Sequence, residues 1–246
     1  MKYMPILPVG MFDVLDRSDI LDVFILPQLW VDRRYREYYT GRSWDHVIID
    51  NAMYEQPDGI PFGDLISIAD SISARRTFIV APEDLKRPSE TVRLAVETGD
   101  RFGYRDSSWE MMCILHGTPM EMSLQYAFLS RCPMTYGIAV SSWRNRYDRA
   151  GVYKFIGFRK SDYVHAMGWD SIVEVYGLKA VGFNSIDSSI PATAAVNDMK
   201  FDIDTKIVRC DSNVNVERVN LLEYEFPKYY RLACENNIRS IMEYIA

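Results

Sequence analysis

The sequence predicts an α/β fold, a (β/α)8 barrel of the TIM type, and three observations predict it. Eight short apolar, β-branched runs recur along the chain, helix-like stretches separate several of them, and several of the runs end in a polar residue or glycine. Runs that are apolar at every position belong to strands covered on both faces, as in parallel sheets. Their alternation with helices implies βα units, and about eight such units suggest closure into a barrel. An open doubly wound sheet is the competing architecture. With 246 residues, 48% of them hydrophobic, the chain can bury one large core. It is read as a single domain over 1–246.

In chain order the expected strands are 4–7 (MPIL), 23–26 (VFIL), 46–50 (HVIID), 77–81 (TFIVA), 111–116 (MMCILH), 135–140 (TYGIAV), 163–167 (YVHAM) and 180–187 (AVGFNSID). Between them, 62–73 carries apolar residues at helical spacing, and Pro88-Ser89-Glu90 opens a second helix with Ser89 as its N-cap. Pro119 suits the first turn of a helix reaching Arg131. A short helix is expected over 171–176, and the tail 221–246 reads as helix broken near Pro227, packed outside the barrel.

Composition narrows the function classes. No apolar run approaches the roughly 20 residues that span a bilayer, and the opening MKYMPILPVG makes a poor signal peptide. A soluble, cytoplasmic protein without membrane contact is expected. Cys113, Cys132, Cys210 and Cys234 are scattered, with no C-x-x-C pair, so neither a zinc site nor a disulfide framework is expected. No metal and no cofactor is assigned. The net charge of −6 argues against coating nucleic acid by bulk attraction. Local basic clusters nevertheless occur at Arg33-Arg34-Tyr35-Arg36 with Arg42, at Arg75-Arg76, at Arg144-Asn145-Arg146 with Arg149, and at Arg159-Lys160. Together they could make a phosphate-binding rim, with Arg144, Arg146 and Arg149 as the candidate nucleic-acid contacts.

In a parallel barrel the C-terminal strand ends share one mouth, where active sites are built. Asp50-Asn51, Pro82-Glu83, His116-Gly117, Ser141-Ser142, Gly168 and Asp187-Ser188 are therefore expected to converge. Two of these ends carry aspartates. A carboxylate closing an apolar strand is costly to desolvate unless it is used or satisfied. Two in one pocket can divide labour, one attacking an anomeric carbon and the other moving a proton.

The residues at these ends carry a resemblance. Asp50-Asn51-Ala52-Met53-Tyr54 resembles the D-S-G-G-[FY] motif of the tRNA-guanine transglycosylase superfamily, and Ile186-Asp187-Ser188-Ser189-Ile190-Pro191-Ala192-Thr193 resembles its F-D-C-x-x-P-T motif. Ala81-Pro82-Glu83, His116-Gly117, Tyr136-Gly137-Ile138-Ala139 and His165-Ala166-Met167-Gly168 follow further family motifs in collinear order. The resemblance implies Asp187 as the covalent nucleophile on C1′ of a guanosine-type nucleoside and Asp50 as general acid/base. It implies that Tyr54 and Met167 sandwich the base, that Glu83 accepts hydrogen bonds from it, and that His116 and the backbone of Gly137 and Ile138 meet its carbonyl edge.

Departures from the family refine the expectation. The zinc-binding C-x-C-x-x-C segment and room for a C-terminal RNA-binding domain are missing, and Ala52 and Met53 replace two glycines. The forms DNAMYE, VAPED and SIDSSIP look more like relatives in phages and bacterial DNA-modification clusters. The expected partners are therefore DNA, ahead of tRNA, and a free 7-deazaguanine base, with a homodimer allowed. The implied activity replaces guanine in DNA with a 7-deazaguanine such as 7-cyano-7-deazaguanine, guarding phage DNA from restriction. A tRNA enzyme, an N-glycosidase on the same barrel and an inactive base-binding module are the alternatives.

Overall fold

The structure is a computed structural model that describes residues 1–53, 55–56, 58–84, 86–102, 107–132, 136–141, 148–169, 172–197, 199–202, 207–209 and 219–246, with backbone alone for 200–202 and 207–209. The apolar runs form β1 (Lys2–Pro5), β2 (Asp22–Ile25), β3 (Ser43–Ile49), β4 (Ser73–Val80), β5 (Trp109–Leu115), β6 (Tyr136–Ser141), β7 (Val164–Met167) and β8 (Ser185–Ser188). Every recorded pairing among them is parallel, in the order β1-β8-β7-β6-β5-β4-β3-β2. Strands β1 and β2 end that order and lie against each other, so the sheet makes a nearly closed (β/α)8 barrel.

The outer layer comprises α1 (Phe12–Arg17), α2 (Arg33–Thr40), α3 (Phe62–Asp70), α4 (Pro88–Phe102), α5 (Pro119–Leu129), α6 (Arg149–Ile156), α7 (Ile172–Val181) and α8 (Ile190–Val196). Capping chemistry fixes several helix starts. The Asp32 side chain accepts from Tyr35 N at the head of α2, and Thr118 and Glu121 form a reciprocal capping box on α5. A hairpin of β9 (Lys200–Asp202) and β10 (Ile207–Arg209) precedes α9 (Lys228–Ile245), which packs on α8, α1, α7 and β1.

Several boundaries differ from expectation. Helix α3 stops at Asp70, and 73 onward is already β4. Helix α4 starts at Pro88, so Ser89 lies in its first turn and is not the cap. The turn before it is held by Asp84, whose Oδ1 accepts from Lys86 N and Arg87 N. Ala180 and Val181 finish α7, which is longer than expected, and β8 begins only at Ser185. In the tail, helix begins after Pro227 and not at Leu221, because a proline steers the residue before it away from helical conformation and Pro227 itself is the extended cap.

Inside the barrel, alternation of side chains sorts residues into layers. The end at which the strands begin is polar. Lys2 Nζ and His46 Nδ1 both meet Asp22 Oδ1 at 2.8 Å. Arg76 makes a two-pronged bond to Glu110 at 2.5 and 2.8 Å, its guanidinium lying over the rings of Phe78 and Tyr163. Above this layer sit Met4, Ile48, Phe78 and Met112, all fully buried. The opposite end is the mouth.

Candidate active site

Register places the mouth residues. Strands β7 and β8 pair with His165 opposite Ser185, and Asp187 follows two residues later on the same face. The His165 ring, fully buried, therefore lies between two β8 side chains. Its Nδ1 is 2.7 Å from Ser185 Oγ and its Nε2 2.9 Å from Asp187 Oδ1. Phe24 stacks on its face, with ring centroids 5.8 Å apart. Gly168, just past β7 at φ 65°, donates its N–H to the same Asp187 Oδ1 at 3.0 Å. That positive φ suits glycine and turns the amide inward. Asp187 is 5% exposed.

Asp50 follows β3 and is also buried. Burial, then the negative charges of Glu55, Glu83 and Asp187, push its carboxyl up to about 7, against a hydrogen bond from the Asn51 backbone. Glu83 and Asp187 are thus both within electrostatic reach of Asp50, as convergence at one mouth requires. Next to Asp50, Ala52 adopts φ 57°, a left-handed conformation that non-glycine residues rarely take. It stands where the resembled motif has glycine.

Glu83 follows β4 and is held on both oxygens. Asn51 Nδ2 donates to Oε1 at 3.3 Å and to Ala81 O at 2.9 Å, and His116 Nε2 makes a short contact with Oε2. A carboxylate keeps further acceptor capacity after two such bonds. His116, at the end of β5, is clamped through its backbone by Gln125 of α5, which accepts from its N–H at 3.2 Å and donates to its carbonyl at 2.8 Å. Met167 ends β7, half-buried, and is paired in register with Ser141 at the end of β6.

Two sequence expectations are corrected here. Gly137 and Ile138 lie at the beginning of β6, several residues below its mouth end at Ser141. The Ile138 N–H is spent on Tyr163 O at 2.8 Å. Gly137 instead makes room deep in the barrel, since a Cβ there would approach Phe78 to 2.8 Å. Arg149 is no rim residue. Its guanidinium is buried, paired with Glu174 Oε1 at 2.7 Å and donating to the carbonyls of Val140, Met167 and Gly168 at 3.1, 3.0 and 2.7 Å. Tyr54, Arg144 and Arg146 lie outside the described residues.

The other basic clusters divide by topology. Arg42, Arg75, Arg76 and Arg159 lie at or before strand beginnings, opposite the mouth, where Arg42 pairs with Asp16 and Arg159 with Asp162. Arg33, Arg34 and Arg36 open α2 on the mouth side. Helices α4 and α5 enclose a groove of about 440 Å³ lined by Val92, Leu124, Gln125 and Phe128. Among the described residues no group of three or more His, Cys, Asp or Glu is arranged to hold a metal ion. No described helix is long and apolar enough to cross a membrane.

No protein-family model matches the chain, and comparison with curated proteins gives no match. The functional reading therefore rests on the residues of the mouth.

Sequence reasoning missed His165 and Ser185 as members of this site, and gave Arg149 the role of a nucleic-acid contact. His165 stood inside a quoted motif, but its partners are 20 and 22 residues away and become neighbours only through strand register.

Proposed function

We propose that this protein is a base-exchange transglycosylase that replaces guanine in DNA with a 7-deazaguanine, with Asp187 as nucleophile and Asp50 as general acid/base. The observation that carries the reading is a pair of buried carboxyl groups in contrasting surroundings at one barrel mouth. Asp187 has one oxygen fixed by two hydrogen bonds. Asp50, buried and close to other negative charge, is balanced near neutrality. Contrast of this kind assigns an attacking group and a proton-moving group, and a proton carrier works best when its pKa lies near the working pH.

In this reading an Asp187 oxygen bonds to C1′ as the C1′–N9 bond breaks. The electron pair goes to N9 of guanine, which takes the proton of Asp50. The incoming base then returns a proton from its N9–H to Asp50, bonds to C1′ and releases the Asp187 carboxylate. Met167 at the mouth offers a thioether face to a flat base. The target guanine has to be taken from a single strand or turned out of the duplex.

The test is incubation of the purified protein with guanine-labelled DNA, and in parallel with tRNA, plus 7-cyano-7-deazaguanine, followed by nucleoside mass spectrometry. A deazaguanine deoxynucleoside with equimolar guanine release is the expected result. Guanine release without incorporation would replace exchange by glycosidic hydrolysis. Incorporation into tRNA alone would move the substrate, and label retained in both polymers would sink the enzymatic reading.

A further inference from the structure

We propose that His165 is the positioning residue for Asp187, and that with Gly168 it selects Oδ2 as the attacking oxygen. The inference rests on the function proposed above. An ionised carboxylate only accepts hydrogen bonds. The 2.9 Å contact therefore places a proton on His165 Nε2, and Nδ1, its lone pair free, accepts from Ser185 Oγ–H at 2.7 Å. The Gly168 N–H adds a second donor to the same Oδ1 at 3.0 Å. Among the described residues nothing donates to Oδ2. One oxygen is thus anchored and the other keeps its lone pairs.

The arrangement also matches the intermediate. When Oδ2 bonds to C1′, Oδ1 becomes the ester carbonyl and keeps both donors. When the new base displaces the ester, the electron pair of the C1′–Oδ2 bond returns to the carboxylate, and the share of its charge carried by Oδ1 meets the same two N–H groups, as donors stabilise an oxyanion in acyl transfer. His165 neither gains nor loses a proton in this cycle. Ser185 is fully buried beneath the ring, its Oγ 2.7 Å from Nδ1. The second donor is secured from behind, because Arg149 binds the carbonyls of Met167 and Gly168 and so fixes the peptide that carries the Gly168 N–H and the one after it.

Two measurements test this. The chain has three histidines, so ¹⁵N-histidine NMR of the intact protein, assigned with single-histidine variants, reads each ring separately. His165 is expected as one neutral tautomer with the proton on Nε2, and Asp187→Ala should release it to mixed tautomers. A proton on Nδ1 in the wild type would overturn the proposal, whatever the activity. The second measurement is the single-turnover rate of covalent adduct formation with guanine-containing DNA in the absence of free base. His165→Ala should slow it about 100-fold, the scale of one lost donor. His165→Gln, which returns an N–H, should recover much of the rate, and DNA affinity should stay close to wild type in both. Wild-type adduct with an unchanged rate in His165→Ala would remove the positioning role and leave the proposed function standing. Absence of adduct in the wild type would remove the proposed function, and the attack role of Oδ2 with it.

Discussion

At neutral pH the Asp50 carboxyl is held between its two protonation states, because burial and the charges of Glu55, Glu83 and Asp187 raise it from 3.8 to about 7. That shift has a thermodynamic sign. Between about pH 4 and pH 7 the folded protein keeps a proton that the unfolded chain has lost, so stability from this residue is complete below pH 4 and lost as pH rises through 7. Asp50→Asn removes the loss. The variant should become progressively more stable than wild type from pH 4 to pH 8, by a few kcal/mol at the upper end, and be unable to incorporate base. Melting curves of the two proteins across this range check it, and a constant offset would place Asp50 in a solvated site. Arg149→Met removes the guanidinium that binds three carbonyls and Glu174 and should cost about 3–5 kcal/mol by denaturant titration, the range for breaking a buried ionic network.

The strands were the legible elements, since runs such as HVIID and TFIVA are buried on both faces and leave no helical reading. Their ends were less so. Ala180 and Val181 suit either a helix end or a strand start, and the structure puts them in α7. The Tyr136-Gly137-Ile138 motif opens the expected strand 135–140, and β6, which runs on to Ser141, keeps it away from the mouth. Basic residues were legible as clusters but not by side, which depends on whether a cluster follows a strand or precedes one. Strand order now separates them. Reversing charge at the head of α2, with Arg33→Glu, Arg34→Glu and Arg36→Glu combined, should weaken DNA binding and flatten the dependence of log K on log salt by about one to three. The same reversal at Arg42 and Arg159, on the opposite face, should leave the slope unchanged. Equal effects from both sets would mean that the helix head has no special part in binding.

For the molecule as a whole, β1 and β2 are the ends of the hydrogen-bonded order, and among the described residues no backbone ladder joins them. Side chains span the seam instead, through Lys2, Asp22 and His46. Burial by itself would raise the Asp22 carboxyl, but hydrogen bonds from His46 and Lys2 prevail and hold it below 3.8. Its contribution is therefore present above about pH 4 and lost as pH falls through the lower folded value. Asp22→Asn should lower stability by about 1 kcal/mol at neutral pH, a drop of about 2–4 °C in Tm for a chain this long. The difference should close in acid, and calorimetry at pH 7 and pH 3 would show whether it does.

Closure at the other side of β1 has a cost in time. Its neighbour is β8, and Tyr3 bonds to Ser188, 185 residues further along the chain. At roughly 5–20 residues per second of synthesis, Tyr3 waits about 10–40 s before its partner exists. During that interval β1, with apolar Tyr3 and Met4, has neither edge paired. The speed of the ribosome thus sets how long each nascent chain offers a free strand to its neighbours on the polysome.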